Sequence, residues 1–285
     1  MKFIFVLITL FFVNSKLRAD EYITVGTFNI EWLGDGIDDQ KPRNKQEYAE
    51  LARVIKELNA DVLALQEIEN QDAIKLVLNN MPQYNAIILS TNGKQNVGFL
   101  YKKDIKIINT LEYKPLQVIP NKTRSGFIVT AKKGNFDFKM MIVHLKSTSS
   151  FDNTNQLRQK SFQIRNVQVG ILNNWADSCL KYTDERDLVI LGDFNDHIYK
   201  PNSQIIKFGE NKKLVCLTKD LKSCLRSDWY TIDNIFVSKS VEKRVLTNSV
   251  AMENFKAYVE DKYKNSISDH CPVIIKLNTS LPDND

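Results

Sequence analysis

The run LVILGDFND at positions 188–196 decides the fold. Residues 188–191 are apolar without any polar alternation, so the segment reads as a strand buried on both faces. Gly192, Asp193 and Asn195 follow at once. A strand covered on both sides belongs to a layered core, and an acid at its very end points to an opening in that core. The same grammar recurs outward along the chain. FNIEWLG (28–34) and LALQEIEN (63–70) close two earlier apolar runs, and HLKS (144–147) follows the run at 140–143. SDHCPV (268–273) leads into the last run, and IDNIFVS (232–238) sets Asp233 inside an apolar strand.

The remaining segments fill in the layers. Strands are expected at 22–30, 61–66, 85–89, 97–101, 105–111, 125–132, 136–144, 187–191, 232–237 and 272–277. Helical spacing of apolar residues appears at 46–58, 72–80 and 157–175. Adjacent strand-like runs with interspersed helices favour a mixed sheet system covered by helices. No repeat, low-complexity tract or linker interrupts the pattern. One domain is expected over 20–280, with a frayed tail at its end, residues 281–285.

The chain has 285 residues, 43% hydrophobic and 26% charged, with 10 Gly and 7 Pro. That composition excludes a disordered, collagen-like or disulfide-framework protein. A formal charge of +5 suggests a polyanionic partner, but much of it lies in a removable segment. Residues 3–13 form an apolar run after Lys2, followed by a short polar exit, which reads as a secretory signal over 1–19. Removing it leaves 36 basic against 34 acidic residues, or +2. Export to the periplasm or outside the cell is expected, without a stable membrane anchor, and with an oxidising environment for four cysteines. Cys216 and Cys224, eight residues apart, form the expected pair, with Cys271 a buried thiol.

Glu67, Asp193, Asp233 and Asp269 are four acids beside apolar strands, and two histidines, His144 and His270, do not neutralise them. Burying such groups unpaired costs several kcal/mol each. A divalent cation would balance them, and oxygen ligands without thiolates suit Mg²⁺, with Mn²⁺ or Ca²⁺ as substitutes, better than zinc. His197, Glu31 and Glu69 read as loop residues.

Taken together and in chain order, these six motifs and the arginine of TRSG (123–126) resemble the endonuclease/exonuclease/phosphatase superfamily, the group of deoxyribonuclease I and the AP endonucleases. They span residues 24–277. The resemblance implies a four-layer α/β sandwich, two packed mixed β-sheets flanked by helices, with the site at one mouth. It implies metal positions at Asn29, Glu67 and Asp269, and a nucleophile-orienting, phosphate-contacting pair at Asp193 and Asn195. Catalytic histidines are implied at His144 and His270, with Asp233 supporting His270 as general base. Arg124, Lys146 and Asn234 are the implied phosphate and substrate contacts. The implied activity is metal-dependent phosphodiester hydrolysis by a monomer, on DNA and also RNA.

Three departures separate this chain from the secreted pancreatic-type enzymes. Gly93 stands where they place a groove-stacking tyrosine, Gln95 where a glutamate backs the first histidine, and Glu69 where an arginine reads the groove. Basic clusters at Lys41-Arg43-Lys45, Lys102-Lys103, Lys122 with Arg124, and Lys146 offer other phosphate contacts. Two competing readings are a phosphatase or phospholipase C-type esterase (inositol phosphatase or sphingomyelinase-like) and a catalytically silent, toxin-like binding subunit. The first would normally show GDLN in place of GDFN, and the second would not need every acid and histidine.

Overall fold

The computed structural model describes residues 21–91, 93–149 and 151–283. The expected export signal lies outside these residues. In chain order the elements are β1 (Tyr22–Leu33), α1 (Lys45–Leu58), β2 (Val62–Ile68), α2 (Gln71–Leu78), β3 (Tyr84–Ile88) and β4 (Asn96–Lys102). They continue as β5 (Lys106–Tyr113), β6 (Gly126–Lys133), β7 (Phe136–His144), α3 (Asn155–Tyr182), β8 (Leu188–Asp193) and α4 (Ile206–Gly209). The last are β9 (Leu214–Cys216), β10 (Asp233–Ser238), α5 (Lys239–Glu242), β11 (Ala251–Met252), α6 (Asp261–Ile267) and β12 (Val273–Asn278).

The strands form two six-stranded sheets, in orders β11-β12-β1-β2-β4-β3 and β5-β6-β7-β8-β10-β9. Val25, Ala64 and Phe99 of the first meet Val129, Ile142 and Leu191 of the second in a fully buried layer. The outer face of the first sheet packs against α1, α2 and α6 through residues such as Leu51, Ile55 and Ile74. The outer face of the second is covered by α3 through Val169, Leu172 and Trp175. The architecture is the four-layer sandwich, two packed mixed sheets with flanking helices. Covering on both faces explains why β1, β2 and β8 carry no polar alternation.

Topology alone brings the polar strand ends together. β1 runs parallel to β2, and β7 parallel to β8, so Asn29, Glu67, His144 and Asp193 all sit at C-terminal ends. β10 is antiparallel to β8 and begins opposite Asp193. β12 is antiparallel to β1, so the segment before it, carrying His270, reaches the same edge. Local chemistry fixes the helices. An Asn44–Glu47 capping box starts α1, and Asn59 ends it in the left-handed region at φ 47°. Helix α3 starts at a Thr154 cap and runs seven residues beyond the expected end at 175.

Two expectations change. The disulfide joins Cys224 to Cys271, with Cα atoms 6.2 Å apart, and Cys216 is a free buried thiol along with Cys179. Cys216 lies in the core between the second sheet and α3, whereas Cys224 packs against the helical side of the first sheet. The seven residues between them cross from one layer to the other. Arg244 donates to the carbonyls of Leu281 and Pro282 in the expected tail and pairs with Asp283 at 3.2 Å. The disulfide closes a sequence separation of 47 residues. Its removal in Cys224→Ser/Cys271→Ser is expected to lower unfolding free energy by about 2–4 kcal/mol. Denaturant titration measures this, and an unchanged midpoint would contradict it.

Candidate active site

The centre of the mouth is Asp193, 1% exposed at the end of β8. Gly192 before it has φ 142°, and a Cβ there would lie 2.0 Å from the Val143 carbonyl, so only glycine lets β7 and β8 close at this point. The backbone N–H of Asn195 donates to Asp193 Oδ1 at 2.7 Å. The Asn195 and Asn29 carboxamides each donate to Oδ2 at 3.1 Å. Asn29 also donates to Glu67 Oε1 at 3.3 Å, so its amide bridges the two carboxylates. Glu67 and Asn195 both hold left-handed backbone, at φ 64° and 53°. Non-glycine residues there cost about 1–3 kcal/mol each and persist where surroundings over-determine them.

Both histidines border this carboxyl. His144 Nε2 lies 3.5 Å from Asp193 Oδ2 and 3.7 Å from Glu67 Oε1. His270 Nε2 lies 3.9 Å from Asp193, while its Nδ1 is 2.8 Å from Asp233 Oδ2. Their surroundings divide them. Burial pushes His144 well below its ordinary range, and Arg124, His270 and Lys146 add to the effect. Burial alone would lower His270 too, but the Asp233 and Asp193 carboxylates outweigh it and hold the imidazole well above its usual value. Burial raises Asp193 to about 7; His270 opposes the rise, Asp233 adds to it, and the Asn195 and Asn29 donors oppose it. His144 and His270 therefore have opposite charge preferences, a division the sequence reading did not make.

Gln95 supplies no substitute for a carboxylate behind His144. Its side-chain oxygen accepts from Arg124 instead, and Arg124 Nε donates to the Gln95 carbonyl at 3.2 Å. His144 Nδ1 is buried with no hydrogen-bond partner, as is Asp233 Oδ1. Asp193, Asp233 and His270 present ligand atoms within 4.8 Å of one another. Converging carboxylate oxygens without a thiolate fit a hard divalent cation. Glu67 and Asp193, with Asn29 between them, would hold it. Asp269 stands apart, its side chain 63% exposed and Oδ1 3.9 Å from His270 Nε2.

Among the expected phosphate contacts, Arg124 and Lys146 border the mouth. Burial lowers both cations, opposed by Glu67 and Asp193 at Arg124 and by Asp152 at Lys146. Asn234 does not face it. Successive strand residues point to opposite faces, so with Asp233 turned to the site Asn234 turns away. It is fully buried, donates to the carbonyls of Asp196 and Ile232, and accepts from Thr218 at 3.1 Å. Of the basic clusters, Lys41 pairs with Glu31 at 2.5 Å, and Lys102 with Asp61 at 3.0 Å.

Arg43 is the largest departure. It is 8% exposed and donates to five backbone carbonyls: Ile30, Glu31 and Trp32 on one side, Ser266 and Ile267 on the other. Glu31 and Trp32 hold φ 52° and 55°, a bulge that breaks the β1–β2 register after Asn29. One guanidinium thus joins the Asn29 bulge to the segment carrying His270. Ser268 strengthens that join by donating to the Asn29 carbonyl at 2.7 Å and accepting from the His270 N–H at 2.9 Å. On the other side of the mouth, Arg165 of α3 donates to the Lys146 carbonyl at 2.6 Å and lies 3.5 Å from Asp196. Gln168, also on α3, accepts from Lys146 N–H at 2.8 Å. Arg165 and Gln168 escaped the sequence reading. Their only signal was polarity on the apolar face of a long helix.

The acids, histidines and cations gathered at this mouth are the groups that hydrolysis of a phosphoester calls on. The model of the Endonuclease/Exonuclease/phosphatase family matches residues 26–270, and the chain belongs to that family. No curated protein matches the chain. Among solved structures, truncated Caenorhabditis elegans TDP2 is similar at 14% identity and TM-score 0.64, covering 90% of this chain and 98% of that one. D. rerio TDP2, complexed with single strand DNA product, is similar at 16% identity and TM-score 0.66, covering 91% and 100%. An endonuclease/exonuclease/phosphatase family protein from Bacteroides thetaiotaomicron is similar at 18% identity and TM-score 0.65, covering 91% and 98%.

Proposed function

We propose that the protein is an exported, divalent-metal-dependent nuclease, a phosphodiesterase that cuts DNA and RNA strands with little sequence preference. The observation that carries the reading is the convergence of Glu67, Asp193 and Asp233 with both histidines at one mouth. A bound cation would polarise the phosphate as a Lewis acid. Asp193 accepts the proton of the attacking water, and His270, 3.9 Å away and held in its charged form by Asp233, donates to the phosphoryl oxygens. General-base help of this kind is worth roughly 10²–10⁴-fold. Asn195, held by Asp193 and by the Leu145 carbonyl at 3.1 Å, keeps its amide at the phosphate's edge. Arg124 and Lys146 supply charge to the phosphoryl oxygens.

Two further observations support the reading. A relative of the same fold, D. rerio TDP2, has been solved with a single strand DNA product. The Cys224–Cys271 bond suits an oxidising compartment, in line with export. The test offers the secreted protein plasmid, single-stranded DNA, RNA and a phospholipid panel, with Mg²⁺ or EDTA. Strand cleavage with Mg²⁺ and none with EDTA is expected. Release of phosphate or choline without cleavage of any nucleic acid would overturn the nuclease reading.

A further inference from the structure

Beside the catalytic carboxylates, Trp32, Gln95, Gln117, Asn121, Lys122 and Arg124 line a cavity of about 150 Å³. We propose that this hollow is a nucleobase subsite, in which Trp32 stacks the base next to the scissile phosphate. The inference rests on the nucleic-acid reading above and adds the form of the strand to it.

Trp32 is placed more firmly than a surface aromatic needs to be. Its N–H donates to Glu67 Oε2 at 3.2 Å, and its carbonyl accepts from Arg43 at 2.9 Å. Its backbone holds the left-handed region at φ 55°, which an indole-bearing residue does not adopt without cause. Despite this anchoring, the residue remains partly exposed and lines the hollow. The attachment point of the ring is therefore one hydrogen bond from the carboxylate that would hold the metal.

The rest of the lining matches the other parts of a nucleotide. Gln117 and Asn121 bring neutral carboxamides, which offer both donors and acceptors to a base edge, and Gln95, its oxygen held by Arg124, adds a donor. Arg124 and Lys122 bring charge for a phosphate at the boundary with the catalytic centre. An aromatic face, carboxamide edges and a cationic rim together fit a nucleotide better than a bare phosphate or a lipid headgroup. The rim is open beside Gly93, where a Cβ would meet nothing within 4 Å. A base paired in a duplex has both faces stacked and its edge engaged. It cannot enter, so the subsite selects single strands, ends and frayed segments.

The test uses single-stranded oligonucleotides with one cleavable linkage, with or without the base on each side of it in turn. Removing the base on one side is expected to lower kcat/KM about tenfold in the native protein, the order of one lost base–aromatic stack. In Trp32→Ala the same removal is expected to change kcat/KM by no more than about twofold, whereas Trp32→Phe keeps the native discrimination. Equal sensitivity to base removal in native and Trp32→Ala proteins would overturn the subsite. If the native protein cleaves no oligonucleotide, the nuclease reading fails separately. The subsite is then judged by tryptophan emission in Trp229→Phe protein, where Trp32 remains and Trp175 is buried. Quenching by adenosine 5′-monophosphate but not by inorganic phosphate would uphold it, and quenching by neither would end it.

Discussion

Asp193→Ala is expected to lower turnover by roughly 10³-fold or more on every substrate the native protein hydrolyses. Asp193 is touched from both halves of the site: Asn29 and His270 approach it from the first sheet, His144 and Asn195 from the second. On the function proposed above, its loss removes a metal-holding oxygen and a proton acceptor together with the anchor of Asn195. The same carboxyl is expensive to keep. Burial raises it to about 7, and Asp233 adds repulsion. Asp193→Asn keeps the shape without the charge, so in the absence of metal its thermal midpoint is expected at or above the native value. Steady-state kinetics and thermal unfolding check the two halves. Retained turnover in Asp193→Ala would remove the site assignment, and a large fall in the Asn midpoint would show the carboxylate to be structural.

Arg43→Ala is expected to cost about 3–5 kcal/mol of unfolding free energy, because five backbone carbonyls, three of them in buried hydrogen bonds, lose a charged donor at once. Activity is expected to fall further than stability accounts for, since Arg43 ties the Asn29 bulge to the segment before His270. Arg43→Lys keeps the charge but not the planar fork, so it is expected to recover part of the stability and little of the turnover. Urea unfolding, with kinetics measured where each variant is fully folded, separates the two losses. A variant with native turnover once folded would reduce Arg43 to a structural clamp.

The layered core and the residues at the strand ends were legible in the sequence, because burial on both faces and a sudden acid are local signals. Asn29, Glu67, His144, Asp193, Asp233 and His270 meet as the strand directions require. Contacts that close across the fold left no such local mark. Arg43 reads as part of a basic surface cluster, yet its donors go to carbonyls on segments more than 200 residues apart. The cysteine pairing followed chain distance, whereas the bond follows the layer each thiol occupies. Asn234 is different. The alternation of a strand already placed it opposite Asp233, and that signal was available. Trp32 gave no warning, because a bulge of two left-handed residues has no glycine to announce it.

The division of the candidate site's groups between the two sheets has a mechanical consequence. Among the described residues no strand ladder joins the two sheets; side-chain hydrogen bonds and the apolar layer between them set the spacing of Glu67 from His144 and of His270 from Asp233. A shift of one sheet against the other by a fraction of a hydrogen-bond length would misalign every such pair while leaving each ladder intact. Turnover is thus a gauge of sheet-to-sheet alignment, and pressure or mild denaturant would silence the enzyme before spectroscopy registers unfolding. Substitutions in that middle layer, far from any substrate, act on the chemistry through the same displacement.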